Sequence, residues 1–270
     1  MNEHLNALVS MDNPKHIIGA ESAYDREYLR HYTGLDPLPL YSFSGFYTAN
    51  NTYAPKRHEI LAFGTWDDRL VTKITKFHIH PVHHLYQGYQ LSDLVNHPAV
   101  VFLPYSVMSY KLTEIYSLCI PLFMPSMTFI RNVRRTVTHD RSSLSSTYCN
   151  NAGLDKVMKA HPSSIHPYSP NIDMDKDREA EFYWLQFADF FHWPHIIYFD
   201  DFKDLETKLG KVDLSKIHNL MVDEVERKKK ELLLNLCKVS KKVTSGQIVP
   251  QDYSVAIKKL YGVSTLQVDK

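Results

Sequence analysis

Residues Ala99 to Pro125, AVVFLPYSVMSYKLTEIYSLCIPLFMP, constrain this fold more than any other stretch. An apolar run, Ala99 to Leu103, is closed by Pro104, and a second, Ile120 to Met124, ends at Pro125. Between them lie a polar turn, Tyr105 to Ser109, and a segment of helical period, about Tyr110 to Leu118. Short apolar runs bounded by turn signals read as strands buried on both faces. A helix joining two such strands reads as a crossover within a parallel sheet. In open parallel sheets ligands bind beyond the carboxyl ends of the strands. The turn Ser106-Val107-Met108-Ser109 falls at that place. It leads into a helix N-terminus whose N–H groups and dipole favour phosphate.

The remaining pattern extends the same architecture. Glu59 to Phe63 reads as a strand ended by Gly64. Thr65 or Asp67 caps a short helix with Leu70, Val71 and Ile74 on one face, and Phe77 to Ile79 reads as a second strand. Tyr86 to Val95 reads as a helix stopped by Asn96-His97-Pro98. The expected order is therefore β-α-β-α-β-α-β: an α/β chain with a Rossmann-like, mostly parallel sheet flanked by helices. Met127 to Asp175 yields no secondary-structure assignment. Lys176 to Phe191 reads as a helix and His195 to Phe199 as a strand. A further helix follows, capped by Asp200 or Asp201 and stopped by Gly210. Leu214 to Val239 reads as one long helix whose run Glu226 to Glu231 is a solvated turn. Near the N-terminus, Ser22 fits a helix cap and Gly34 its C-terminal stop. The expected organisation is residues 1–54 as the tail of a first domain with its linker, 55–215 as the Rossmann-like domain, and 216–270 as a long helix with a loose tail.

Composition bounds the function. With 270 residues and a formal net charge of +1, the chain has no bulk attraction for nucleic acid. Only 9 glycines are present, and neither a Walker A nor a G-x-G-x-x-G pattern occurs. No apolar run approaches the roughly 20 residues that span a bilayer. Three cysteines, far apart and odd in number, suggest thiols rather than a disulfide framework. The sequence as it stands reads as cytoplasmic; a longer N-terminus carrying an anchor would place it in the secretory pathway.

The central stretch resembles the nucleotide-sugar-binding, C-terminal half of GT-B glycosyltransferases. In that family a helix with the pattern E-I/L-x-x-x-G-I/L-P precedes a strand of the type V-F-x-P. The matching residues here are Glu114-Ile115-Tyr116-Ser117-Leu118-Cys119-Ile120-Pro121-Leu122-Phe123-Met124-Pro125. His192 to Leu209, HWPHIIYFDDFKDLETKL, is similar to the family's late strand and its acidic helix. The resemblance covers roughly residues 55–215. Cys119 stands where the family has glycine, and Ser106 stands where retaining members have a first glutamate. The resemblance implies that most of the family's N-terminal acceptor domain lies outside residues 1–54.

The resemblance implies a glycosyltransferase, or a fragment of one, moving a sugar from a nucleotide-sugar donor to an acceptor hydroxyl such as that of a glycan. Glu114 would hold the ribose diol. Ser109, Tyr110 and Lys111, with Ser106 in the turn, would meet the diphosphate. Loops carrying His80, His83 and Asp200 would form a donor rim. Helix-end charge would stabilise the departing diphosphate without a metal or other cofactor. The catalytic residues stay unassigned, and a partner or missing N-terminal domain would supply the general base.

Each residue also has a plainer reading. Glu114 is a solvent-facing helix carboxylate, Ser109 a helix cap, and Asp200-Asp201 a cap for the late helix. His78, His80, His83 and His84 are partly exposed structural histidines. Trp184 and Trp193 are core or rim anchors, Arg131, Arg134 and Arg135 form a basic surface, and Asp173, Asp175 and Asp177 make a solvated turn. The alternative function is a non-catalytic Rossmann-like remnant acting as a binding or interaction module.

Overall fold

The computed structural model describes residues 18–64, 74–104, 106–137, 159–170 and 178–243. A short parallel pair, β1 (Gly19–Ala20) and β2 (Leu38–Pro39), brackets helix α1 (Ala23–Thr33). The main sheet contains β3 (Ile60–Gly64), β4 (Ile79–Pro81), β5 (Val100–Leu103), β6 (Leu122–Pro125) and β7 (Ile197–Phe199). All five strands are parallel, in the order β4-β3-β5-β6-β7. The chain steps outward once from β3 to β4, then crosses back and proceeds in the other direction. The order therefore reverses between β3 and β5, the position at which open α/β sheets bind ligands. This is a Rossmann-like α/β fold.

Helices cover both faces. Short helices α2 (Val82–Leu85) and α3 (Leu91–Leu94) lead from β4 to β5, and α4 (Tyr110–Ser117) joins β5 to β6. Helix α5 (Met127–Val137) follows β6. Next come α6 (Arg178–Leu185) and a single 3-10 turn, Asp189–Phe191. Beyond β7 lie α7 (Phe202–Lys211) and the 30-residue α8 (Leu214–Val243). One face of the sheet packs Leu61, Phe63, Phe102 and Met124 against Leu112, Ile115 and Tyr116 of α4, Trp184 of α6 and Met221 and Val225 of α8. The other packs Ala62, Val101 and Phe123 against Phe129 of α5 and Leu205 and Leu209 of α7. Every residue of β5 and β6 is buried, as strands covered on both sides require.

Local chemistry explains the element ends. Ser22 accepts from the Asp25 amide at 3.0 Å and starts α1, while Gly34, at φ 70, ends it in the left-handed region. Gly64, at φ 98, closes β3 where a β-carbon would lie 1.7 Å from the Leu103 carbonyl oxygen, so only glycine lets β3 and β5 approach there. Asp201, not Asp200, caps α7 by accepting from the Asp204 amide at 2.7 Å. Gly210 does not stop that helix, which runs on to Lys211.

Three further sequence expectations are corrected. The helix expected over Tyr86 to Val95 is confined to Leu91–Leu94, because Tyr86 is extended (φ −137, ψ 126). The helix expected to reach Phe191 stops at Leu185, and Ala188 is extended (φ −63, ψ 142) before the 3-10 turn. Met127–Val137, given no assignment, is helical; Ser126 accepts from the Phe129 amide at 3.1 Å at its start. The helix expected after Thr65 or Asp67 falls on residues 65–73, outside the described residues apart from its Ile74; Cys149, Asp173, Asp175 and Asp177 also lie outside them.

Candidate functional site

The β5–α4 turn lies at the carboxyl end of the central strand, next to the point where the strand order reverses. Ser109 is 4% exposed and accepts from the Leu112 amide at 3.4 Å, so its hydroxyl serves as the cap of α4. One turn on, Glu114 faces residues 44–47. One carboxylate oxygen accepts from the Tyr47 hydroxyl at 2.8 Å, and the other is paired with the Lys111 ammonium. Lys111 also lies 5.1 Å from the centre of the Tyr89 ring. Burial pulls the Lys111 ammonium down, but the Glu114 carboxylate and Tyr89 outweigh it and hold it above its ordinary value. Beneath them Ser44 and Thr113 share a hydrogen bond of 2.7 Å. Tyr110 turns outward and donates to Glu21.

Four of the predicted donor residues, Ser109, Tyr110, Lys111 and Glu114, are thus gathered on one helix start, with Ser106 in the turn before it. The rim residues are not gathered. His80 lies on edge strand β4 and His83 in α2, with its ring 4.4 Å from that of His84. Asp200 follows β7 at the opposite edge, where it accepts from Ser126 at 2.5 Å. Four strand spacings of about 4.8 Å put those edges about 19 Å apart. One sugar cannot meet both. Among the described residues, no three His, Cys, Asp or Glu side chains group as metal ligands do. No described helix is long and apolar enough to cross a membrane.

A second feature escaped the sequence reading. A cleft of about 360 Å³ opens between the chain at Pro39–Phe43, the segment Asp189–Trp193 and α8. Its volume is in the range of about 300–1,000 Å³ typical of small-molecule sites. Asp189 is only 7% exposed, and among the described residues its carboxylate accepts no hydrogen bond; its backbone N–H donates to the Val107 carbonyl at 2.8 Å. Burial, followed by the neighbouring Asp25 and Glu21 carboxylates, pushes this carboxyl up to about 7. Burial also lowers the Lys228 ammonium, which lies 4.3 Å over the Trp193 ring. Arg227 is held by both Glu224 oxygens at 2.7 Å and by Glu231 at 2.9 Å. Trp193 stacks near Phe43 (6.3 Å, 13°) and approaches Tyr116 at 4.4 Å, so it anchors the cleft wall.

The signal for Asp189 was present in the sequence as a lone carboxylate inside the apolar run Phe187-Ala188-Asp189-Phe190-Phe191. The periodicity of Phe182, Leu185, Phe187 and Phe190 hides it by suggesting one helix through Phe191, whereas the helix ends at Leu185. The two features adjoin: Val107 belongs to the β5–α4 turn, and Glu21, which raises Asp189, also accepts from Tyr110. Comparison with known protein families, curated proteins and solved structures finds no match to this chain.

Proposed function

We propose that this chain binds a nucleotide sugar at the β5–α4 turn and serves as the donor-binding part of a glycosyltransferase. The observation that supports this reading most is the placement of Lys111 and Glu114 on the helix that starts beside the strand-order reversal. A carboxylate there can hold a ribose diol, and an adjacent ammonium can meet a phosphate oxygen. Tyr47, which covers Glu114, is 56% exposed, so a ligand can displace it without opening the core. The sequence resemblance around Glu114 and Pro125 adds to the reading. The second reading, a binding module without turnover, is favoured by the engagement of both Glu114 oxygens by Tyr47 and Lys111.

Thermal unfolding of the chain with UDP- and GDP-sugars tests the proposal. Ligand at a hundred times its dissociation constant is expected to stabilise the fold by about 2.7 kcal/mol. Glu114→Ala is expected to abolish that gain. A folded chain that gains nothing from any nucleotide sugar overturns the donor site. Release of nucleoside diphosphate separates a transferase from a binding module.

A further inference from the structure

The cleft beside the donor turn has no role in the reading above, and its chemistry specifies a ligand. Its deepest polar group is Asp189, more than nine-tenths buried, without a hydrogen bond to its carboxylate among the described residues, and lining the cavity. A mostly buried carboxyl that makes no hydrogen bond within the protein and opens onto a cleft is a candidate for ligand binding or proton transfer. We propose that this cleft is the acceptor site, that it takes a neutral saccharide, and that Asp189 receives the proton of the reacting hydroxyl. The proposal rests on the glycosyltransferase reading for its chemical step but not for the binding of the saccharide.

Charge selects a neutral ligand. An anion would meet Asp189 with Glu21 and Asp25 close behind it, while the Arg227 donors are committed to Glu224 and Glu231. A cation would meet the Lys228 ammonium on the α8 wall, where Glu231 is already paired with Arg227. A polyol avoids both conflicts. Ser42, His192 and Asn235 offer donors and acceptors at the rim, and Phe43 offers an apolar surface for a sugar's C–H face.

The location suits transfer. The Asp189 amide is bonded to Val107, in the same turn that leads to Ser109 and Lys111. In the step, the acceptor oxygen forms a bond to the anomeric carbon of the bound nucleotide sugar. The bond from that carbon to the diphosphate oxygen breaks, and its electron pair leaves on the diphosphate. The acceptor's hydroxyl proton passes to the Asp189 carboxylate. The sequence-based expectation of a base in another domain is then unnecessary.

The test uses the full chain and a panel of neutral disaccharides (lactose, maltose, cellobiose and chitobiose), with glucuronate and glucosamine as charged controls. NMR follows the Trp193 indole and the Asp189–Trp193 amides at pH 8. At least one neutral disaccharide is expected to shift them, more strongly than either charged sugar. The isosteric Asp189→Asn, which retains the packing, is expected to weaken that binding about tenfold, as loss of a hydrogen bond to a charged group does. Asn235→Ala, on a partly exposed helix position, is expected to weaken it by a smaller factor. No perturbation by any neutral disaccharide in the folded chain overturns the site. Preferential binding of a charged sugar, or unchanged affinity in both variants, also overturns it. Nucleotide-sugar binding is read in parallel. If that alone is absent, the donor reading and the transfer step fall while the saccharide site stands. If both ligands bind, nucleoside diphosphate release is expected to rise with the disaccharide and fall in Asp189→Asn.

Discussion

Glu114 and Asp189 are two carboxylates on either side of one turn, and the fold treats them oppositely. Glu114 is satisfied: a tyrosine hydroxyl and a lysine ammonium engage its two oxygens at the protein surface. Asp189 is mostly buried at the cleft wall, with the Asp25 and Glu21 carboxylates raising its pKa and the Lys228 ammonium opposing them. A partnered surface carboxylate adds little stability and loses little when it rearranges around a ligand. A mostly buried one without a hydrogen-bond partner costs stability, which marks it as a candidate for a functional role. The contrast teaches that the sequence resemblance marks the donor side, whereas the energetically expensive group lies on the other.

The largest expected effect tests the cost of Asp189. The carboxyl moves from an ordinary 3.8 to about 7 in the fold. At about 1.36 kcal/mol per pH unit, this corresponds to at most about 4 kcal/mol. The folded state keeps its proton where the unfolded state has lost it, so this group's contribution falls as pH rises from about 4 to about 7, then levels. Asp189→Asn is therefore expected to be nearly neutral at pH 4 and more stable than the parent at pH 8. Denaturant unfolding of both proteins across that range checks it. Equal differences at the two pH values would break the contrast.

A smaller effect tests whether the two sites share a support. Gly64→Ala forces a β-carbon onto the Leu103 carbonyl, immediately below the β5–α4 turn, and requires an alanine at φ 98. It is expected to cost roughly 3 kcal/mol, measured as a lower denaturation midpoint. Nucleotide and saccharide binding should weaken together. Loss of one alone would show that the sites are mechanically separate. The smallest effect belongs to the satisfied side. Glu114→Gln is expected to cost less than about 1 kcal/mol, and the difference should shrink in high salt.

Much of the framework was legible because it follows from strong local rules. Val100–Leu103 and Leu122–Pro125 are apolar throughout, as strands buried on two faces must be, and Ser22, Gly34 and Ser109 terminate helices through their own chemistry. The errors arose where packing overrode period. Leu91, Leu94 and Val95 suggested a longer helix, yet Tyr86 is extended, with its hydroxyl bonded to His97 at 2.7 Å and to Arg57 at 2.9 Å. Met127–Val137 was obscured by its arginines and threonines. The Glu114 cluster was legible because it is local to one helix. The Asp189 cleft was not, since its walls come from residues 23–43, 189–193 and 227–235, which only tertiary structure unites.

Cys119 carries one more consequence. It sits at φ 56, a left-handed conformation that costs a non-glycine residue roughly 1–2 kcal/mol. Its carbonyl accepts from His218 Nδ1 at 2.9 Å, across 99 positions of sequence. The crossover between the two central strands is therefore completed by a helix made much later in the chain. Contacts of such long range delay folding, because the loop must close before they form. During synthesis, the β5–α4–β6 unit would emerge early and wait, its final turn poised, until α8 arrives to secure it.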